Sequence, residues 1–381
     1  MSIVSLEFSD SSWQLNETHF SALNVLVGVS GTGKTRTLNA LRMLRRVGLK
    51  GARNVPSFFW KMQFSIEGHS YQWKGEIQSK SEETIWSDRS HWNDEKQNEN
   101  AIFLNEYIKK DGVMLVERDH STGVFLFKDA VLPTLKWTES AITLLADESD
   151  LKPLQNTLQC IVSSDESPMW YFSFSPFPHF IGESLSELQS ATQLPLVVRA
   201  KELQDRYSDR FNEIKSDFID TFPFVEDVRI VSVQEYFPQK KNTPFDIWTI
   251  AVKERDVQEW IAGNDLSTGM LRTLKLFLEL ALVPKGTLFL IDEFENSLGI
   301  NCLPQVADIV NRRQGDIQFI LTSHHPYVIN NIPWTAWKLV TRQGSVVTIR
   351  NASEIPALQT SSSLDRFYLL INTPEYQEGI L

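Results

Sequence analysis

The chain has 381 residues, 42% of them hydrophobic and 22% charged, with a formal net charge of −11; this excludes a disordered or fibrous protein and suits a soluble globular one with a sizeable core. Two cysteines, Cys160 and Cys302, are too few for a disulfide framework or a cysteine-based zinc site. No apolar run reaches the roughly 18–20 residues of a membrane span, and the acidic balance counts against a protein that coats nucleic acid by itself, because phosphate contacts dominate such affinity.

The opening MSIVSLEFSD lacks a basic stretch followed by an apolar run, so no secretion signal is expected and the cytoplasm is the expected compartment. Ile3–Phe8 alternates apolar and polar residues, and Leu23–Ser30 is a short apolar run suited to a buried strand. Thr35–Val47 places Leu38, Leu41, Leu44 and Val47 on one helical face, with Gly48 and Gly51 expected to end the helix. The aromatic, alternating text from Ser57 to Ile77 predicts a β-hairpin with its turn at Gly68. Residues 78–101 are polar and read as a long exposed loop, whereas 163–182 are rich in Pro, Ser and aromatics and read equally as a surface loop or a buried connector. Strands are expected at Val113–Glu117 and Gly123–Lys128, helices at Glu139–Ala146, Lys152–Cys160 and Val198–Phe222, and two more strands in RIVSVQEYF and FDIWTIAVKE.

Four blocks carry chemistry. Gly28-Val29-Ser30-Gly31-Thr32-Gly33-Lys34-Thr35 fits GxxxxGK[ST] after an apolar strand and before a helix. There the backbone N–H groups of Gly28, Ser30, Gly31, Thr32, Gly33 and the following Arg36 would face phosphate oxygens, Lys34 would reach the outer phosphates of ATP, and Thr35 would bind Mg²⁺. In TLFLIDEFENSL an apolar strand ends in Asp292, suited to the magnesium shell, and Glu293, suited to polarising the attacking water. Ahead of a long helix stands LSTGMLRTL, with Ser267, Thr268 and Gly269 at a helix N-terminus that suits an anionic phosphate; plain helix capping by Ser267 or Thr268 is the alternative. Finally, FILTSHHPYVI ends an apolar strand in His324 and His325 before Pro326.

Together these blocks resemble the soluble ABC-type ATPases related to RecF, SMC proteins and the ATPase part of OLD-family nucleases. The likeness covers residues 1–50 and 220–345 well. It implies an α/β P-loop NTPase fold of the ABC type, with a mixed sheet core, an antiparallel β lobe and a helical insertion. Boundaries are expected as an N-terminal ATPase part over 1–140, a mainly helical insertion over 141–222, and a C-terminal ATPase part over 223–381. LSTGM stands where the family has its LSGGQ signature, and the T-[ST]-H-x-P pattern makes His324 the switch histidine. Glu293 and His324 are then the catalytic pair, and Ser267–Gly269 would cap the nucleotide of a partner copy in a homodimer or higher oligomer. ENSLGI departs from the family's usual ENSLHP, with Gly299 in place of histidine. The Q-loop glutamine stays open between Gln63 and Gln72.

The resemblance further implies ATP and Mg²⁺ as cofactors and no membrane association. More than two hundred positions separate Lys34 from Ser267, far more than transporter subunits of this class place there. Anti-phage defence beside a separate nuclease or toxin is the expected setting, because the residues after His325 are too few for an appended nuclease. A RecF- or SMC-like DNA-maintenance role is the alternative and leaves nucleic acid open as a partner.

Overall fold

The computed structural model describes residues 1–79, 101–133, 135–164, 172–174, 182–236, 247–299, 301–359 and 363–380. Most of the polar 78–101 stretch and of the aromatic 163–182 stretch lies outside the described residues. The chain divides into two compact units, one of residues 1–163, 286–292 and 314–381, the other of residues 164–285 and 293–313.

Among the described residues, the first unit is built on a 14-stranded mixed sheet. Five strands at one end form a parallel run: β10 (Ile161–Ser163), β15 (Leu288–Ile291), β16 (Gln318–Thr322), β3 (Leu23–Val27) and β17 (Trp337–Gln343) are successive neighbours. Every residue of β3, β15 and β16 is buried, as a parallel strand covered on both faces requires. That accounts for their reading as continuous apolar runs. Beyond β17 come β18 (Val346–Asn351), β2 (Gln14–His19) and β1 (Ser2–Asp10), followed by an antiparallel meander of β4 (Phe58–Ile66), β5 (His69–Gln78), β6 (Ile102–Lys110), β7 (Val113–Asp119), β8 (Val124–Phe127) and β9 (Ala130–Val131).

The meander shows the alternation that a sheet buried on one face demands. On β4, Phe58, Trp60, Met62, Phe64 and Ile66 are buried, and on β5 Tyr71, Trp73 and Ile77. The turn between them has Glu67 at φ 52° and Gly68 at φ 85°; two successive positive values match the twist of the flanking strands. Gln63 and Gln72 are cross-strand partners in this hairpin. Trp60 stacks edge-on against Trp73 at 5.0 Å between ring centroids and against Phe103 at 6.0 Å. Such aromatic pairs add roughly 0.5–1.5 kcal/mol each beyond their area burial.

Helix α1 (Lys34–Lys50) buries Leu38, Leu41, Leu44 and Val47 in the same core as the aromatic ladder. It ends at Gly51, with φ 78°. Gly48 lies inside the helix and does not end it; a Cβ there would come within 2.4 Å of Leu158 and 3.1 Å of Trp73. Its role is close packing. Two short helices, α2 (Ala141–Leu144) and α3 (Lys152–Gln159), follow the meander.

On the sheet's flank, Asp150 accepts from Lys110 Nζ at 2.7 Å and pairs with Lys128 Nζ at 2.6 Å. The Lys110 hydrogen bond, then that of Lys128, lowers its carboxyl to about 2. A depressed carboxyl stabilises the fold above its unfolded pKa, near 3.9, and that contribution disappears as pH falls from about 4 towards 2. With both partners partly exposed to solvent, the expected size is about 0.5 kcal/mol. Urea unfolding of Asp150→Asn should therefore differ from the parent at pH 6 and converge with it near pH 2. A difference that persists there would mean the charge is not the cause.

The second unit has a small sheet in which β13 (Ile247–Glu254) pairs antiparallel with β11 (Phe172–Phe174), β12 (Val225–Ser232) and β14 (Trp260–Ala262). The strand expected to run through RIVSVQEYF stops at Ser232, and the chain turns into a short helix, α7 (Val233–Tyr236). Helices α4 (Leu185–Ser190), α5 (Leu196–Arg206), α6 (Ser208–Thr221), α8 (Thr268–Leu282) and α9 (Leu303–Arg313) complete the unit. The single helix expected over Val198–Phe222 is interrupted at Tyr207, which leaves helical geometry at φ −132° and ψ 51°. Ser208 and Asp209 open the new helix, and an acidic first turn complements its N-terminal dipole.

Helix α8 is fixed from inside the unit. Its last carbonyls, Leu280 and Leu282, accept from Arg313 and Arg199 at 3.0 and 2.9 Å, an arrangement in which cations satisfy a helix C-terminus. Burial pushes the Arg199 guanidinium below its usual range. Midway along α8, Lys275 donates to the Ser164 carbonyl and Ser164 Oγ to Glu279 at 2.8 Å. Among the described residues, no helix is long and apolar enough to cross a membrane.

Candidate nucleotide site

The phosphate loop connects β3 to α1 at the carboxyl end of the parallel strands, where open α/β sheets place ligands. Its curvature needs glycine. Gly28 has φ 151°, and a Cβ on it would lie 2.5 Å from the Val340 carbonyl oxygen. Gly31 and Gly33 have φ 85° and 107°, values that L side chains rarely adopt. Thr32 Oγ1 donates to the Val29 carbonyl at 3.0 Å, closing the loop on itself. Ser30 and Gly31 form its exposed tip. Gly33 caps α1 without a side-chain hydrogen bond, so the 17-residue helix presents a backbone N-terminus of the kind that attracts anions.

Lys34 folds over the loop, its Nζ donating to the carbonyls of Gly28 at 2.7 Å and Val29 at 2.9 Å. Arg36 Nη1 reaches Ser12 Oγ, between β1 and β2, at 3.4 Å.

The acidic partner arrives by sheet register. Because β16 lies between β15 and β3, the ends of all three strands converge. Asp292, directly after β15 and buried, accepts from Thr35 Oγ1 at 3.1 Å and from Thr322 Oγ1 at 2.7 Å. Thr35 and Asp292 are thus joined across 257 positions. Thr322 was not singled out by sequence; the signal available was its place as the last residue of the FILT strand. Among the described residues, no group of three His, Cys, Asp or Glu side chains could hold a metal. A hydroxyl and one carboxylate are nevertheless the hard-oxygen set that suits Mg²⁺, which takes few protein ligands and fills its octahedron with water and phosphate oxygens.

At the end of β16 the two histidines separate. His325 Nδ1 accepts from the Tyr327 backbone N–H at 3.2 Å and caps α10 (Pro326–Asn331). His324 is exposed.

The second unit carries the LSTGM segment, expected as a signature, and Glu293. Ser267 Oγ accepts from the Met270 N–H at 3.2 Å, so it does cap α8. The capping role and the phosphate role are compatible, since Ser267 and Thr268 are exposed. The ENSLG turn packs on the same helix end: a Cβ on Gly269 would sit 3.4 Å from the Ser297 carbonyl oxygen. Glu293 adopts a left-handed backbone at φ 48°, uncommon for a residue other than glycine, asparagine or aspartate. It is held there from both sides. Arg272 Nη2, from α8, donates to its carbonyl at 3.3 Å, and Asn296 Nδ2 donates to its carboxylate Oε2 at 3.2 Å. Neither Arg272 nor Asn296 was assigned a role from sequence.

The chain shares its fold with an SMC head domain. A family model described as "AAA domain, putative AbiEii toxin, Type IV TA system" matches residues 198–330. Among solved structures, the chain is similar to an SMC head bound to the C-terminal winged-helix domain of ScpA, at 12% identity, covering 92% of this chain and 98% of that one with a TM-score of 0.52. It also matches the SMC head domain from Thermotoga maritima, at 13% identity over 92% and 99% of the chains with a TM-score of 0.44. A third match is the Smc head with an extended coiled coil bound to the C-terminal domain of ScpA derived from Pyrococcus furiosus, at 13% identity over 92% and 97% with a TM-score of 0.46. No curated protein matches the chain.

Proposed function

We propose that the chain binds Mg²⁺–ATP at Gly28–Thr35, hydrolyses it, and works as one half of a nucleotide-driven dimer. The observation that supports this most is the hydrogen bond between Thr35 and Asp292 at the mouth of a glycine-bent loop. The N-terminus of α1 receives the phosphates, and Lys34 exchanges its two loop carbonyls for the outer phosphate oxygens. Thr35 and Asp292 hold the Mg²⁺, which when bound neutralises phosphate charge and orients the terminal phosphoryl group. Thr322 keeps Asp292 in position. Glu293 accepts the proton of the attacking water, and His324 contacts the γ-phosphate.

Ser267, Thr268 and Gly269, at the N-terminus of α8, cap the γ-phosphate held by a second copy. ATP then closes the pair and hydrolysis opens it. Lys34→Ala should weaken Mg²⁺–ATP binding about 10–100-fold, the size expected for losing charge-assisted hydrogen bonds. Titration calorimetry checks this, and undiminished affinity would refute the phosphate-loop assignment.

We assign the ATPase to bacterial anti-phage defence, controlling a separate nuclease or toxin and working in the cytoplasm. The description of the family model over 198–330, a putative toxin of a toxin–antitoxin system, supports that setting. The second reading, DNA maintenance, is favoured by the fold shared with an SMC head. The two separate in one strain carrying the gene with its neighbours. Loss of phage protection in Lys34→Ala, with turnover indifferent to DNA, supports defence. DNA-stimulated turnover with unchanged phage sensitivity supports maintenance.

A further inference from the structure

The outer side of the phosphate loop is covered by residues far away in sequence. Arg342, near the end of β17, donates from Nη1 to the Gly31 carbonyl at 3.1 Å. The backbone N–H of the same Arg342 donates to the Gly379 carbonyl at 2.7 Å, and Arg342 forms a parallel bridge with Ile380. That bridge lays residues 379–380 along the loop. The Ile380 δ-methyl would be 3.3 Å from a Cβ on Gly31, and a Cβ on Gly379 would be 3.0 Å from Val29 Cγ2 and 3.5 Å from Thr32 Cγ2. Ile380 nonetheless remains 43% exposed. A cavity of about 360 Å³, lined by Arg342, Arg350, Glu375 and Glu378 among others, flanks the segment.

A peptide unit is planar and trans, so its C=O and N–H point in opposite directions. The Gly31 carbonyl and the Thr32 N–H belong to one such unit. Fixing that carbonyl on Arg342 therefore turns the Thr32 N–H away from Arg342, towards the inner side of the loop. Gly31 is the loop position with most freedom to lose, having no side chain and lying at the exposed tip. Ordering it before the ligand arrives removes part of the entropy that binding would otherwise oppose.

We propose that Arg342 and the Gly379–Ile380 segment are positioning elements of the phosphate loop, setting its affinity for the nucleotide phosphates without touching them. This rests on the phosphate-loop reading above and adds the residues that orient it. It also makes the 379–380 segment a point from which affinity can be altered, since lifting it releases Gly31 while the sheet stays intact.

The test is equilibrium binding of a fluorescent N-methylanthraniloyl-ATP with Mg²⁺ to the full chain. Arg342→Ala and Ile380→Asp should each raise Kd about 5–10-fold, the loss expected for one charge-assisted bond or the contact that seats it. Arg342→Lys, which keeps a cationic donor, should recover most of the affinity. The double variant should bind no more weakly than the weaker single one, because both act through Gly31. The Tm of the nucleotide-free protein should hold within about 2 °C, as expected for partly exposed positions. A Kd unchanged in both single variants, or an affinity loss that tracks a fall in Tm, overturns the proposal. Lys34→Ala, measured alongside, separates the two failures. If Lys34→Ala weakens binding as expected and the other variants do nothing, only this inference falls; if the parent binds no nucleotide, the phosphate-loop reading falls with it.

Discussion

Glu293→Gln is expected to lower ATP turnover by about 10²–10⁴-fold, the contribution of a positioned general base, while Mg²⁺–ATP affinity stays near that of the parent. Glutamine matches glutamate in shape, so it keeps the Asn296 amide as a neighbour and the Arg272 contact to the backbone carbonyl. It cannot take a proton from water at neutral pH. The left-handed backbone at this position disfavours both residues equally, so stability should not change. Two readouts belong together: steady-state phosphate release, and sedimentation with ATP. Turnover should fall while an ATP-dependent dimer accumulates, because a closed pair that cannot hydrolyse does not reopen. Parental turnover in this variant would remove Glu293 from the mechanism. Lost turnover without any ATP-dependent change in mass would keep the base and remove the dimer.

The parts of this site legible in the sequence are those whose chemistry is contiguous. The phosphate loop is eight consecutive residues with a fixed glycine pattern, and the strand that feeds it is a plain apolar run. Asp292 was legible for the same reason, since Leu288–Ile291 is buried on both faces and must end where the acidic pair begins. What the sequence could not show are pairings made by register. Nothing local in Thr322 says that β16 will lie between β15 and β3 and bring its hydroxyl to Asp292. Arg342 and Ile380 are further examples, joined to Gly31 across more than three hundred positions by a strand neighbour and a single bridge. Gly48 misled for a different reason. A glycine near the end of a helical pattern usually stops it, but here Trp73 and Leu158 occupy the space where a side chain would be.

Removing one partner of the buried Glu106–Arg118 pair is expected to destabilise the first unit by roughly 3–5 kcal/mol, the usual consequence of leaving a buried charge uncompensated. Both side chains are fully buried, and Arg118 Nη1 lies 3.2 Å from Glu106 Oε2. The pair is the centre of a larger network. Glu106 also accepts from Trp73 Nε1 at 2.9 Å, Ser140 Oγ at 2.5 Å and the Ala141 N–H at 2.8 Å. Arg118 donates to the carbonyls of Glu139, at 2.6 Å, and Lys136, and its guanidinium lies 4.6–5.4 Å from the rings of Trp137, Phe125 and Phe103. Burial pushes that guanidinium below its usual range, opposed by Glu106. Two carboxylate oxygens and one fork of donors therefore fasten the Lys136–Ala141 connection to the meander. Arg118→Met fills similar volume but leaves the carboxylate with its neutral donors and no countercharge; Glu106→Gln keeps the shape but removes the countercharge of Arg118. If electrostatic pairing is the cause, the double variant should be less destabilised than the two single losses summed. It should still fall below the parent, because the Trp73, Ser140 and Ala141 donors lose their charged acceptor. Thermal unfolding measures this, with each single variant expected to melt on the order of 10 °C lower. Strict additivity would show that the two charges are not coupled and that each residue acts through its other hydrogen bonds and its packing.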